Sequence, residues 1–385
     1  MGHFRFLTAG ESHGKGLVAF IEGLVAGLPL SEEYIALHLK RRQAGYGRSA
    51  RMQLEDDKAE IISGVRQGLT IGSPISLLIW NKVWQEWQEI MSILPTDKGV
   101  EPITSPRPGH ADFAGMIKYG VGDIRPILER ASARETAARV AVGAVARRFL
   151  EEFGIDVHSH TISIGDHRAE QGDAVDWQWV ENSLVRCANA EVEDAMMKAI
   201  DAAKAEGDTL GGVFELVATG VPIGLGSHVQ WDRRLDGQIA QAIMSIHAVK
   251  GVEIGAGFAL ADVKGSQAHD IIEHGSGQAG LWHRVTNRAG GIEGGISNGQ
   301  QVVVRAAIKP IVTLRKPLPS VDLRNGKVTS AHYERSDICV VPAAGVIGEA
   351  MLAIVLADAM LDKFGGDSLK ETLANYQSYI KSIPC

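Results

Sequence analysis

Cysteine is scarce in this sequence of 385 residues, which has three cysteines at widely separated positions, Cys187, Cys339 and Cys385. An odd number at such spacings provides neither a disulfide framework nor a Cys-x-x-Cys metal site. We therefore expect a protein of a reducing compartment, the cytoplasm. The N-terminus also lacks a basic segment followed by an apolar core, so no secretory signal peptide is expected.

The sequence has no excess of positive charge. Its 39 lysines and arginines are outnumbered by 46 aspartates and glutamates, and the net charge is -7. A general nucleic-acid-binding protein needs a basic face, so that class is not expected, although a local basic pocket is compatible with an acidic protein. The most apolar run, AMLAIVLADAML, contains Asp358 and follows Glu349, and we expect it to be too short and too acidic for a membrane span.

Several common cofactor and catalytic motifs are also missing. No Gly-x-Gly-x-x-Gly follows a strand and opens a helix, which argues against a Rossmann domain. The sequence has no Gly-x-Ser-x-Gly elbow, P-loop, His-Glu-x-x-His or cluster of metal ligands, so no metal site is expected. No Pro-rich or Ser-rich linker interrupts the chain, and we expect a single domain over residues 1–385.

Four segments have the periodicity and end signals of helices. They cover residues 31–42, 132–154, 236–249 and 342–366. Ser31 and Asp236 are the expected N-caps of the first and third, and Ser132 with Glu135 is the expected capping box of the second. The start of that second helix, at Ser132, also offers free amides to an anion. The second and fourth helices are apolar around much of their circumference, which predicts burial on several sides.

Between the helices lie short β-branched segments bounded by glycine, which predict strands. They are AEIISGV, PISLLIW, DVHSHTISIG, GGVFELVATGV and QVVVRAAIKPIV. Because strands and helices do not alternate as in βαβ units, the pattern favours a layered α+β fold in which sheet covers buried helices.

Eight polar segments, five of which contain glycine, concentrate arginine, histidine or backbone amides outside any core face. They are TAGESHG, RRQAGYGRSARM, SPRPGHAD, LERASARET, SIHAVKGVEIG, NRAGGIEGGISNGQ, IKPIVT and ERSDICVVP. Loops of this type carry function more often than they support the fold. Guanidinium groups bind phosphate and carboxylate through paired hydrogen bonds, so we predict a ligand with several negative charges. The alternative is that Arg41 and Arg42 complement the end of the first helix and the other arginines are solvated.

Two histidines lie off any periodic apolar face, His13 in ESHG and His110 in RPGHAD. Imidazole titrates near neutral pH, so proton transfer is one role for them, and simple exposure is the alternative. Asp337 in ERSD is either one half of a surface ion pair or a carboxylate oriented for proton transfer. His158 and His160 are expected on one face of a strand, without a metal.

Six motifs occur together in the order and approximate spacing of one enzyme family, and through them the sequence resembles the chorismate synthases over nearly its full length. The motifs are GESHG, RPGHAD, RASARET, HAVKGVEIG, GGIEGGISNG and the Arg-x-Asp at residues 335–337. Each motif is weak alone, whereas six in order are highly specific.

The resemblance implies an activity. Members of the family convert 5-enolpyruvylshikimate 3-phosphate to chorismate by a 1,4-elimination of phosphate in the shikimate pathway of aromatic amino acid biosynthesis. They need reduced FMN although there is no net redox change. Two alternatives are kept, a flavin-dependent oxidoreductase acting on an anionic substrate and an anion-binding regulatory protein. Two routes to reduced FMN also stay open, NADPH oxidation by the protein itself and an external reductase.

The resemblance also implies roles for residues. His13 would supply a proton toward the departing phosphate, His110 would protonate or steady the reduced flavin, and Asp337 would assist flavin N5 as it takes the ring proton. The expected substrate-binding residues are Arg42, Arg48, Arg51 and Arg134. The expected FMN-binding residues are Arg130, Ala131, Ser132, His247, Ala248, Gly294, Lys309, Pro310, Ile311, Val312, Thr313 and Arg335.

The resemblance also implies a particular form of the layered α+β fold. Long central helices lie between two antiparallel sheets, and the subunits form a homotetramer. We therefore expect a β-α-β sandwich, a homotetrameric assembly, a small-molecule substrate, and neither a nucleic-acid nor a membrane partner.

Overall fold

The computed structural model describes residues 4–48, 56–95, 99–169, 175–274 and 282–383. In chain order the strands are β1 (Arg5–Ala9), β2 (Gly16–Glu22), β3 (Glu60–Ser63), β4 (Val65–Arg66), β5 (Leu69–Thr70), β6 (Ile75–Trp80), β7 (Asp156–Ile164), β8 (His167–Arg168), β9 (Gly212–Thr219), β10 (Val249–Ile254), β11 (Ile272–His274), β12 (Trp282–Arg284), β13 (Ile292–Glu293), β14 (Ile296–Ser297), β15 (Val302–Ile308), β16 (Pro319–Val321) and β17 (Val328–Ser330). The α-helices are α1 (Glu32–Gln43), α2 (Trp84–Trp87), α3 (Asp112–Tyr119), α4 (Arg125–Arg130), α5 (Thr136–Glu151), α6 (Trp177–Asn182), α7 (Ala190–Glu206), α8 (Leu235–Met244), α9 (Gly265–Ala268), α10 (Val341–Phe364) and α11 (Leu369–Ser382).

Two antiparallel sheets form the outer layers. The first sheet has the strand order β1-β2-β6-β3, and the second has the order β10-β15-β9-β7-β8. In β2 and β6 of the first sheet, buried and more exposed residues alternate, so the apolar side chains of one face turn inward. In the second sheet, β7 and β9 are buried at several consecutive residues, so both of their faces are covered. The remaining short strands form four antiparallel pairs, β4–β5, β11–β12, β13–β14 and β16–β17.

Two long helices fill the space between the sheets. Helix α5 packs on β2 and β6 of the first sheet and along α10, and α10 packs on β7 and β9 of the second. A Cβ atom added at Gly143 of α5 would lie 2.2 Å from the Cβ atom of Ala350 of α10, so glycine permits the close approach of the two axes. The predicted α+β sandwich, with central helices between two antiparallel sheets, is confirmed.

Helix α10 is 24 residues long, and by length and composition alone it is apolar enough to cross a membrane. The expectation that this region is too short and too acidic for a span is therefore wrong by length and composition, because the helix extends well beyond the AMLAIVLADAML run on the N-terminal side. Most of its side chains are buried against α5, β7 and β9. Its apolar surface is thus explained by its place between the two sheets.

The predicted helix ends are partly correct. Ser31 caps α1, since its Oγ accepts a hydrogen bond from the Tyr34 N–H at 3.3 Å, and α10 ends at Gly365 as predicted. The expected N-cap Asp236 instead lies inside the first turn of α8. That helix begins directly after Arg234, whose Nε donates to the Asp236 carboxylate at 3.1 Å.

The capping box expected at Ser132 is also replaced by another arrangement. Ser132 caps a single 3₁₀ turn at Ala133–Glu135, where its Oγ accepts from the Arg134 N–H. The Glu135 carboxylate accepts from the Thr8 hydroxyl at 2.6 Å and from Arg139 in the predicted i,i+4 pair. The turn brings Ser132 and Arg134 to the edge of the sandwich, where the loops described below meet.

Candidate active site

A cavity of about 530 Å³ lies where the polar loops meet at one edge of the sandwich. This volume is within the range of small-molecule sites. Seven of the eight polar segments contribute lining residues, beginning with Ser12 of TAGESHG and ending with Val340 of ERSDICVVP. The eighth, residues 287–300, forms the β13–β14 hairpin and contributes none of the described lining. Loops that are distant in sequence therefore converge on one space.

Positive side chains predominate in the described lining. They are Arg42, Arg48, Arg107, Arg134, Lys250, Lys309 and Arg335. The carboxylates among the described lining residues are Glu334 and Asp337. Because the cavity is partly enclosed, these charges are screened less than they would be in water. The cavity therefore attracts an anionic ligand although the whole chain is acidic.

Arg42 and Arg134 form a preorganised pair on the cavity wall around one buried carboxylate, Asp57. Arg134 Nη1 lies 2.7 Å from each Asp57 oxygen, and Arg42 Nη1 lies 3.6 Å from Oδ2. Arg42 Nε also donates to Thr136 Oγ1 at 2.9 Å, and Arg134 Nε donates to Asn81 Oδ1 at 3.0 Å. These contacts fix both guanidinium groups before a ligand binds.

His110 lies in a hydrogen-bonded cluster with Asp112 and Arg107. Its Nδ1 is 2.5 Å from Asp112 Oδ1, and Arg107 Nε donates to Asp112 Oδ2 at 2.9 Å. Burial alone would raise the pKa of Asp112, but the hydrogen bonds from His110 and Arg107 lower that pKa well below its usual range. Asp112 therefore stays ionised at neutral pH and orients the His110 imidazole on the cavity wall.

His13 lies directly behind the cavity wall, next to the lining residue Ser12. The His13 Nδ1 is 2.8 Å from Glu129 Oε1, and its backbone N–H donates to Glu129 Oε2 at 2.7 Å. The Glu129 side chain is fully buried. In front of this pair the hydroxyl oxygens of Ser12 and Ser132 lie 3.2 Å apart. One carboxylate thus holds both the backbone and the ring of His13.

Asp337 lies on the cavity wall and not on the outer surface. Its Oδ2 is 2.9 Å from Arg48 Nη1, and the two side chains are 12% and 10% exposed. The alternative of a surface ion pair is therefore wrong for Asp337. Arg48 is held beside the cavity by this contact, with its Nε atom buried and without a hydrogen-bond partner among the described residues.

Ten of the twelve expected FMN-binding residues line the cavity. They are Ala131, Ser132, His247, Ala248, Lys309, Pro310, Ile311, Val312, Thr313 and Arg335. The other two lie elsewhere. Arg130 donates to the carbonyl oxygens of Thr8 and Gly10 at 3.0 and 3.1 Å, and Gly294 forms the turn between β13 and β14.

One part of the wall has features of an incomplete binding site. Ala248 has φ +66°, a left-handed conformation that costs on the order of 1–2 kcal/mol for a residue with a Cβ atom. Its neighbour His247 has a buried Nδ1 atom without a hydrogen-bond partner among the described residues. Burial lowers the pKa of His247 to about 4, so the ring is neutral at physiological pH. A strained backbone beside an unsatisfied polar atom indicates that a ligand completes this wall.

The remaining predicted residues are placed as follows. Arg51 lies outside the described residues. His158 and His160 lie on one face of β7 as predicted, and each pairs with a carboxylate at 3.0 Å, Asp156 and Glu215 respectively. These pairs lie on the second sheet, away from the cavity lining.

Several functional residues were not predicted. Arg107 and Asp112 belong to RPGHAD, and Glu129 belongs to LERASARET, so all three lie inside motifs in which other residues are predicted members of the site. Glu334 next to Arg335 was missed in the same way. Asp57 lies in a segment without glycine, and only its contact with two arginines reveals its role.

Comparison with known proteins shows the family of this chain. The family model described as chorismate synthase matches residues 4–361. Relatives named chorismate synthase are 56% identical in Solibacter usitatus, covering 98% of this chain and 99% of that protein, and 53% identical in Aquifex aeolicus, covering 99% and 98%. A solved structure titled "Crystal Structure of Chorismate Synthase" is 46% identical, with a TM-score of 0.79 and 98% of each chain covered. The predicted resemblance is confirmed, and this chain belongs to the chorismate synthase family of carbon–oxygen lyases.

Proposed function

We propose that this chain eliminates phosphate from 5-enolpyruvylshikimate 3-phosphate with the help of reduced FMN and yields chorismate for aromatic amino acid biosynthesis. The observation that carries the proposal is the convergence of seven polar loops on one cavity rich in arginine and lysine. Membership of the chorismate synthase family supports the same reaction.

The charge of the proposed substrate matches the cavity wall. The substrate carries one phosphate and two carboxylates, and a buried ion without a partner costs several kcal/mol. We assign these groups to Arg42, Arg48 and Arg134, because all three line the cavity and buried carboxylates hold their guanidinium groups in place. Arg51 is the fourth expected member of this set.

The elimination breaks the carbon–oxygen bond to phosphate and removes one ring proton, so one proton must reach the phosphate and another must leave the ring. We assign proton delivery to His13, whose ring is fixed by Glu129. Asp337, held by Arg48, would assist removal of the ring proton. His110, oriented by Asp112, would steady the reduced cofactor.

Residues 247–248, 309–313 and Arg335 would hold FMN. When bound and reduced, FMN supplies electron density to the substrate ring as the phosphate leaves, without net oxidation. Two observations support FMN binding by these residues. The buried Nδ1 atom of His247 has no partner among the described residues, and Ala248 has a left-handed backbone conformation. Val312 offers no hydroxyl, so its contact with the cofactor would be through the backbone or its methyl groups.

A reducing compartment is also part of the proposal, and the buried cysteines support it. Cys187 and Cys339 are free thiols in the interior. Burial raises the pKa of Cys187, and it raises that of Cys339 to about 12. Both side chains therefore stay protonated and unreactive, as expected of structural cysteines in the cytoplasm.

The outer face of the first sheet supports the self-association that the proposed homotetramer requires. Leu7 and Phe20 face each other across β1 and β2 and are 71% and 51% exposed, and Trp80 at the end of β6 is 53% exposed. A contiguous apolar face of this kind marks an interface. We assign it to contact with a second copy of the chain. Sedimentation velocity compares the oligomeric state of the wild-type protein with that of Phe20→Glu, and the variant is expected to dissociate.

The reaction is tested by mixing the protein anaerobically with dithionite-reduced FMN and 5-enolpyruvylshikimate 3-phosphate. Chorismate and phosphate are expected in equal amounts, with the flavin still reduced at the end. Oxidation of one flavin per turnover would favour the oxidoreductase alternative. Ligand binding without any product would favour the regulatory alternative and overturn the proposal.

A second arm replaces dithionite with NADPH. Product in that arm means that the protein reduces its own FMN, whereas product only with dithionite means that it depends on an external reductase. The dithionite arm is the control, because it supplies reduced cofactor regardless of the reductase question.

A further inference from the structure

A stack of aromatic and charged groups lies behind the cavity wall at His13. The imidazole of His13 and the indole of Trp87 are nearly parallel, with ring centroids 3.8 Å apart and an angle of 19° between the planes. The guanidinium carbon of Arg125 lies over the same indole, 5.7 Å from its centroid. None of the motifs singled out in the sequence contains Trp87 or Arg125.

Arg125 has an unusual set of contacts. Its Nε and Nη1 atoms are buried and have no hydrogen-bond partner among the described residues. Buried guanidinium nitrogens without hydrogen bonds are costly, and the face of an indole is the best aromatic surface to offset that cost. The contact with Trp87 is therefore favourable for both side chains, and it holds the indole in one place.

The two partners of His13 restrain its ring in different directions. Glu129 binds the edge of the imidazole through Nδ1, and it also binds the backbone N–H of His13. Trp87 lies flat against the face of the ring and prevents it from tilting. A proton donor must be held to within a fraction of an ångström of its productive position, and together these contacts achieve that.

We propose that Trp87 is a positioning residue, whose indole, held by Arg125, fixes the His13 imidazole for proton transfer. The inference rests on the function proposed above. Trp87 acts through His13 and does not line the cavity, so it contributes to the rate and not to substrate affinity.

The same short helix provides a matched control. Trp84 is at the other end of α2 and lies under Lys15, whose Nζ is 5.9 Å from its ring centroid. Trp84→Ala removes an indole from the same element without removing the ring that stacks on His13. Trp87→Phe keeps an aromatic face against the imidazole and is the conservative variant.

The first test compares steady-state kinetics of these variants with reduced FMN in excess. Trp87→Ala is expected to lower kcat about 10- to 100-fold with KM unchanged. Trp87→Phe should keep most of the wild-type kcat, and Trp84→Ala should have a kcat near the wild-type value. In a His13→Ala background, Trp87→Ala should cost nothing further, because its effect passes through the imidazole. Wild-type kcat in Trp87→Ala, or the same fold loss with and without His13, would overturn the inference.

The second test needs neither flavin nor substrate. Tryptophan emission is recorded for the wild-type protein, His13→Ala, Trp87→Phe and the double variant. Removing His13 should change the emission when Trp87 is present and leave it unchanged when residue 87 is phenylalanine. Equal changes in both backgrounds would mean that the stack does not form in solution and would overturn the inference. An inactive wild-type protein that passes this emission test would instead point to failure of the proposed function.

Discussion

Arg41 and Arg42 are neighbours at the end of α1, yet their side chains enter two different charged regions. Arg41 Nη1 lies 2.6 Å from Glu349 Oε2, in a cluster closed between the helices. Arg42 lines the open cavity and is held beside Arg134 by Asp57. Both regions gather arginines around a buried carboxylate, but one is closed between the helices and the other opens onto space for a ligand.

The closed region, which we call the core cluster, consists of Glu349 with Arg41, Arg147 and Arg186 around it. Arg147 and Arg186 lie 3.1 and 3.2 Å from the Glu349 carboxylate. Burial would raise the pKa of Glu349, but the three guanidinium charges lower it. The adjacent void measures about 10 Å³, roughly the space for one water molecule. Arginines packed on a carboxylate with no room beside them stabilise the fold, whereas those facing an open volume bind a ligand.

The largest expected effect is a loss of activity when a side chain of the cavity is removed. His110→Ala should lower kcat roughly 10²- to 10⁴-fold, because it removes the imidazole that would protonate or steady the reduced cofactor in the cavity. His158→Ala is the matched control, since it removes an imidazole that pairs with a carboxylate outside the cavity. Steady-state kinetics with reduced FMN measures both variants. Equal losses would mean that the cavity has no special part in catalysis.

The next largest effect is a loss of folding stability when the core cluster is disrupted. Glu349→Gln removes the central charge from three largely buried guanidinium groups, which keep Glu181 or Asp156 as a second partner. Removal of one partner from a buried ion pair costs at most about 3–5 kcal/mol. The free energy of unfolding in urea should fall by about that amount while KM of the folded protein stays unchanged. A Glu349→Gln protein as stable as the wild type would show that the core cluster does not support the fold.

Each region also contains a buried neutral histidine, which predicts a pH dependence. Burial lowers the pKa of His38, beside the core cluster, and of His247, on the cavity wall, from 6.5 to about 4 in each case. Between pH 6.5 and about pH 4 these histidines are protonated in the unfolded chain and neutral in the folded one, so the free energy of unfolding falls as the pH falls. A shift of this size corresponds to roughly 3 kcal/mol per histidine at pH 4.

Unfolding in urea at a series of pH values measures this loss. His38→Asn and His247→Asn should each flatten the pH dependence above pH 4. Saturating FMN should alter the contribution of His247 and leave that of His38 unchanged, because only His247 lies on the cavity wall. The same response of both histidines to FMN would contradict the distinction between the two regions.

The smallest effect comes from replacing the neighbouring arginines by lysine, which keeps the charge but loses the paired hydrogen bonds. Arg42→Lys should raise KM for the substrate about 10-fold, as expected from the loss of one charged hydrogen bond. Arg41→Lys should leave KM unchanged and lower the free energy of unfolding by about 1–2 kcal/mol. Reversed outcomes would exchange the roles assigned to the two side chains.

Much of the fold follows from local sequence signals. The apolar circumference of α5 and α10 predicts their central position, and the five predicted strands appear as β3, β6, β7, β9 and β15. Strand β10 was missed because Gly251 and its polar neighbours resemble a loop, and it forms through pairing with β15. Helix α7 was also missed, although Asn189 caps it and Gly207 ends it in a left-handed conformation.

The site was predictable as a set of loops but not as a set of contacts. Glycine and arginine in the motifs indicate where ligand chemistry lies, and seven of those loops do meet. The partners that fix the functional side chains depend on contacts distant in sequence. Glu129 lies 116 residues from His13, and Asp57 lies 77 residues from Arg134. Local patterns contain no information on such pairs, because the packing of whole layers brings them together.

The most direct measurement of the central claim is a crystal structure of the protein with FMN and 5-enolpyruvylshikimate 3-phosphate. The account predicts the flavin ring against residues 247–248 and 309–313, and the anionic groups of the substrate on Arg42, Arg48 and Arg134. Flavin and substrate bound in separate places, or substrate anions away from these arginines, would contradict it.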